Sequence, residues 1–205
     1  MPALTVTSGI PGATSIATTR RLFDSRYATR WFVGNGLDIG PGPDSLALYA
    51  ELFPRITALR LFDVVDGDAQ TLAGVEDNTF DFIYASHCLE HVRDPSIALR
   101  SWIRVVKPAG HLVIAVPDED LYEQGTWPSR FNPDHKTTWT LSKRESWSPV
   151  SVNVFSLLNE LNDIVRPLKV ELADHGYRHG LAGRGFDQTR TPLTDAAIEI
   201  VLRKI

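Results

Sequence analysis

The 205-residue sequence has one cysteine, one methionine, no net positive charge and no long apolar run. Each absence excludes a class of protein. A single Cys88 cannot form an intrachain disulfide, so the fold must rest on its core, and a reducing, cytoplasmic setting is the simplest expectation. A formal net charge of −4 gives no electrostatic footprint for nucleic-acid phosphates, and neither nucleic acid nor an anionic membrane is expected as a partner. The longest apolar stretches, such as Leu112 to Val116, are too short to cross a bilayer. The first basic residue is Arg20, so no charged signal-peptide start is read.

What is present is a globular composition, 43% hydrophobic and 22% charged. A chain of this length buries a sizeable core as one domain. Residues 1–14 are small, polar and punctuated by glycine and proline, and they read as a flexible N-terminal tail before a single domain over 15–205. A helical pattern runs over 15–33, with Ile16, Leu22, Phe23, Tyr27 and Trp31 on one face. Strand signals follow at 37–39, 56–62, 80–85 and 112–116, alternating with helices over 45–53 and from Asp94-Pro95 to Val106. That second helix has an acid at its N-cap, proline at its first position and a buried stripe of Leu99, Trp102 and Ile103. Alternation of this kind predicts a mostly parallel sheet flanked by helices, with 112–116, apolar on both faces, at its centre. Residues 118–149 carry no periodicity but hold Trp127, Phe131, Trp139 and Trp147, as expected of a packed insertion. A helix over 150–165 and strands over 168–172 and 197–202 complete the pattern.

Asp38-Ile39-Gly40-Pro41-Gly42 ends the first strand. Glycine there lets the backbone approach a ligand closely, and in a doubly wound sheet this is the crevice where nucleotide-like ligands bind. Asp63 closes the next strand, where a carboxylate can bond both ribose hydroxyls. The loop alone leaves three readings open: a bare turn, a dinucleotide site with Ser45 in place of the third glycine, and another nucleotide-like cofactor.

The segment from Asp66 to Glu119, containing "FDFIYASHCLEHVRDP" and "VVKPAGHLVIAVPDE", together with "LDIGPGP", resembles the class I S-adenosylmethionine-dependent methyltransferases. The resemblance implies a Rossmann-like three-layer αβα sandwich, mostly parallel with an antiparallel last strand, and S-adenosyl-L-methionine as cofactor. It places Asp38, Gly40, Pro41 and Gly42 beside the methionine part, Asp63 at the ribose, Asp68 and Ala69 at the adenine, and Ser86 and His87 at the cofactor from the fourth strand. Asp81 matches a structural position. Only four residues separate Asp63 from Asp68, which implies a reduced third strand and leaves Asp66 as a second ribose candidate. The function implied is methyl transfer to a small-molecule or sugar acceptor held by the insertion, with His135 as general base and Glu123, Asp134, Trp127 and Trp139 around it. No metal is required by that chemistry.

Two other readings remain. One is a non-catalytic cofactor-binding scaffold of the same fold. The other is an NAD-dependent or zinc-dependent enzyme, since His87-Cys88-Leu89-Glu90-His91 also spells the inverted zinc-protease motif. Against zinc, the motif has no third ligand, and Asp94-Pro95 interrupts the segment at once. Glu90 and His91 otherwise read as polar residues of a helix turn that brace the fold or border the site, and Cys88 as a small packing residue.

Overall fold

A computed structural model describes residues 12–205. Most of the expectation for residues 1–14 lies outside the described residues, but helix α1 (Ala13–Arg21) already begins within that stretch. The helical pattern over 15–33 is broken in the structure. After α1 the chain turns at Leu22 and Phe23, both exposed, and resumes as a wide helical turn over Tyr27–Trp31. The break has a local cause: the Asp24 carboxylate accepts the Arg26 backbone N–H at 3.1 Å and its carbonyl accepts that of Tyr27, starting a new turn.

Six strands form one sheet: β1 (Gly34–Ile39), β2 (Ile56–Phe62), β3 (Phe80–Ser86), β4 (Val106–Pro117), β7 (Val165–Ala173) and β8 (Ala197–Lys204). Their order is β2-β1-β3-β4-β8-β7. The first four run parallel, and β8 is antiparallel to both β4 and β7. Among the described residues no strand lies between β2 and β3, so β2 is the sheet edge and the reduced third strand has become only turns.

Side-chain alternation makes the layers. Leu112, Ile114 and Val116 of β4 share one cluster with Ile83 and Ala85 of β3 and with Leu99, Trp102 and Ile103 of helix α2 (Pro95–Val105). Val113, Phe82 and Tyr84 point the other way, onto Tyr27, Trp31, Phe32 and Phe53. A central strand covered on both faces is therefore apolar throughout. Helix α2 starts as its sequence demands, with the Asp94 carboxylate accepting the backbone N–H of Ser96 and Ile97 at 3.0 Å and proline in the first turn. Helix α3 (Val154–Asn159) is much shorter than the 150–165 pattern. The residues before it are taken by β6 (Ser151–Asn153), which pairs with β5 (Thr138–Thr140) of the insertion in a separate two-stranded sheet.

The chain leaves β1 toward β2 on one side, and β3 lies on the other. The carboxyl end of β1 is therefore the switch point of the sheet, where the two connections diverge and leave a crevice.

Candidate active site

Gly40 and Gly42 occupy this crevice, both with positive φ (64° and 51°), a conformation that L side chains rarely adopt. At Gly40 a Cβ would also meet Cys88 Sγ at 2.6 Å, whereas at Gly42 it would point into open space. Packing against the β3 turn thus requires the first glycine, and only backbone conformation requires the second.

A cavity of about 410 Å³ opens beside Gly40, bounded by Asp63 and Val64 after β2, by Gly67, Asp68 and Ala69, and by His91 and Asp134. Its size is that of a small-molecule site. Of the nine positions expected at a cofactor, Gly40, Asp63, Asp68 and Ala69 line this cavity directly. Asp66 does not; its carboxylate accepts the Asp63 backbone N–H at 2.9 Å and braces the turn. Ala69 is fixed from behind by Trp102, whose indole N–H donates to its carbonyl at 2.7 Å.

Asp38 stands behind the loop. It is buried; Oδ2 accepts Ser45 Oγ at 2.7 Å and the Leu46 N–H at 2.9 Å, while Oδ1 has no partner. Burial pushes its carboxyl up to about 6, only partly opposed by those two bonds. Ser86 Oγ, at the end of the neighbouring strand, is likewise buried without a partner. Pro41 and Gly42 are not part of the cavity wall. His87 (φ 53°) faces a second cavity of about 240 Å³, lined also by Ile16, Tyr122 and Asp195.

The H-x-x-E-H segment does not make the helical metal pair of a protease. His87 precedes a tight three-residue turn, Leu89–His91, and Val92 is already extended. The turn brings together something else. Glu90 is fully buried and neither carboxylate oxygen has a hydrogen-bond partner, so it is not the bracing residue expected. Its Oε1 lies 3.4 Å from His87 Nδ1, 3.9 Å from His91 Nε2 and 3.8 Å from His135 Nε2. His135 is buried, its Nδ1 bonded to Glu123 at 2.6 Å, and it stands behind the cavity wall; the histidine on the wall is His91, whose Nδ1 bonds Asp134 at 2.9 Å. Cys88 is inert packing, its thiol pushed up to about 12 by burial. Asp81 accepts Lys107 Nζ and the Asn35 N–H, both at 2.8 Å, and ties β3 to its neighbours.

The insertion is packed, but not as its aromatics suggested. Trp139 is fully buried in the core and so walls no acceptor site, whereas Trp147 is exposed. The organising group is Glu119, which carried no sequence signal. Fully buried, it accepts from Thr138, Ser146, Ser151 and Lys143 at 2.5–3.2 Å.

The profile of a methyltransferase-domain family matches residues 18–149, more than half of the chain and the whole of this crevice; the chain belongs to that family. A ubiquinone biosynthesis O-methyltransferase of Aliivibrio fischeri is 31% identical over 86 residues, 42% of this chain and 35% of that protein. The chain thus matches about a third of the length of these curated relatives. Among solved structures, a SAM-dependent methyltransferase from Archaeoglobus fulgidus superposes with a TM-score of 0.56 at 18% identity, covering 94% of this chain and 95% of that one. An S-adenosylmethionine-dependent methyltransferase from Mesorhizobium loti gives 0.55 at 16% identity, covering 95% of this chain and 100% of that one. At such identities the likeness is one of fold, the Rossmann-like fold of methyltransferases.

Proposed function

We propose that the chain transfers the methyl group of S-adenosylmethionine to a hydroxyl oxygen of a small-molecule or sugar acceptor. The observation that carries this reading is the cavity at the sheet's switch point, walled by Gly40, Asp63 and Asp68-Ala69 in a chain of the methyltransferase family. The residues suit the cofactor. Asp63 offers a carboxylate to the ribose hydroxyls, Asp68-Ala69 a polar and an apolar edge to adenine, and Gly40 to Gly42 a backbone cradle for the methionine end. The orphaned Asp38 Oδ1 and Ser86 Oγ lie on the same two strand ends and are suited to its ammonium group. Similarity to an O-methyltransferase supports oxygen as the acceptor atom.

When bound, the cofactor supplies an electrophilic methyl, and the chain's remaining task is to align an acceptor lone pair behind that carbon and exclude water. The insertion closes the cavity with Asp134 and Lys136, and His91 brings the buried cluster behind it to the wall. That cluster serves to promote loss of the acceptor's hydroxyl proton.

Calorimetric titration with S-adenosylmethionine and its demethylated product tests the reading. Both should bind, Asp63→Ala should weaken them at least tenfold, and Asp66→Ala should change little. A folded protein that binds neither ligand would overturn it.

A further inference from the structure

The buried cluster behind the cavity wall has a chemistry of its own. One ligand atom each from Glu90, His91 and His135 lies within 4.8 Å of the other two. Glu90 Oε1 is 3.9 and 3.8 Å from the two Nε2 atoms, against the ~3.4 Å edge of a tetrahedron built on metal bonds of ~2.1 Å. Contraction of these two edges by about half an ångström, with the two imidazoles, now no more than 4.8 Å apart, drawn in alongside, would close the site around one ion.

Two further features point to a ligand. First, Glu90 is wholly buried with no well-formed hydrogen bond to either oxygen: Oε1 faces only imidazoles, the nearest being His87 Nδ1 at 3.4 Å, and such a carboxylate is completed by a cation or proton donor. Second, each histidine has its other nitrogen on an outer carboxylate, His91 Nδ1 on Asp134 at 2.9 Å and His135 Nδ1 on Glu123 at 2.6 Å. This is the support that fixes the tautomer of metal-bound imidazoles, leaving both Nε2 lone pairs toward Glu90. The backbone agrees, since Lys136 N–H donates to the Glu90 carbonyl at 2.8 Å and pins the insertion to the β3 turn.

We propose that Glu90, His91 and His135 bind one divalent transition-metal ion, of which Zn²⁺ is the best match for two imidazoles and one carboxylate. Three protein ligands leave a coordination position open. His91 is on the cavity wall, so that position is within reach of an acceptor oxygen, whose hydroxyl acidity the ion would raise. The metal site stands on its own geometry; only this use of it rests on the methyl-transfer reading.

The test is titration of chelator-treated, full-length protein with Co²⁺, read by visible absorption, followed by Zn²⁺ competition. Binding of the demethylated cofactor is measured on the same samples. One equivalent should bind with ligand-field bands of a four- or five-coordinate N/O site. Glu90→Gln, His91→Gln and His135→Gln should each weaken it at least hundredfold, and Asp134→Asn, a surface change that spares the fold, about tenfold. His111→Gln, midway along β4 and outside the cluster, should leave it unchanged. Absence of Co²⁺ and Zn²⁺ binding in a folded protein, or binding that survives both Glu90→Gln and Asp134→Asn, would overturn the proposal. Metal binding without cofactor binding would sink the methyl-transfer reading and leave the metal site standing.

Discussion

Glu199 and Glu90 are both completely buried, and they live in opposite surroundings. Glu199, on β8, is saturated. It accepts from Arg21 at 2.6 and 2.8 Å, from Arg20 at 2.9 and 3.2 Å, from Lys169 at 3.2 Å, and from the Tyr27 hydroxyl. Burial alone would raise its pKa, but the arginines and Lys169 more than reverse this and hold the carboxyl far below the usual range. Glu90 has only ring nitrogens at 3.4–3.9 Å and no hydrogen bond. The first arrangement is structural, since it fastens α1 and the following turn onto the sheet. The second is the kind of unfinished polar group that collects at functional sites.

The largest effect expected from this contrast is at Glu199. Glu199→Gln strands Arg21, whose guanidinium is wholly buried, and should cost ~3–5 kcal/mol in urea unfolding. A loss below about 1 kcal/mol would show that the network is not what holds α1. Asp38 is the intermediate case, with one oxygen bonded and one orphaned. Its folded pKa of about 6 is above the unfolded value of about 3.9, so its stabilising contribution is full below the unfolded value and is lost as pH rises through 6. Asp38→Asn should remove a decline on the order of 2–3 kcal/mol between pH 4 and 7 in stability measured against pH. An unchanged pH profile would refute the assignment. Glu199 has the opposite sign: its contribution is present above the unfolded glutamate pKa and is lost as pH falls through its depressed folded value. The smallest effect is at Glu90. In metal-free protein, Glu90→Gln should cost about 1 kcal/mol or less: burial raises its carboxyl and His87, His91 and His135 more than reverse this, but none of them makes a well-formed hydrogen bond to it that would be lost. A cost matching that of Glu199→Gln would erase the contrast between the two.

What the sequence revealed was local. The Asp94-Pro95 helix start, the glycines after β1 and the apolar 112–116 strand are legible because capping, positive φ and two-sided burial are each decided within a few residues. The missing third strand was legible as a count, four residues between Asp63 and Asp68. The helix over 15–33 was misread because the Asp24 carboxylate captures the Arg26 N–H, a competition periodicity does not register. The helix over 150–165 was overextended because Ser151–Asn153 pairs with β5, and strand pairing depends on a partner elsewhere in the chain. The same limit hid the site's depth. Glu90 and His91 were visible as a motif, but His135 joins them from 45 residues away, and the outer carboxylates Glu123 and Asp134 had no spacing to announce their roles. Glu119, which orders the insertion through side-chain bonds spanning 19 to 32 residues, was silent for that reason too.

If the crevice at Gly40 is the cofactor site for methyl transfer, a crystal structure of the chain with demethylated cofactor will show the ligand there. The ribose hydroxyls should lie on the Asp63 carboxylate, adenine against Asp68-Ala69 and the methionine end along Gly40 to Gly42. A ligand bound elsewhere, or in this cavity with no contact to Asp63, would contradict it.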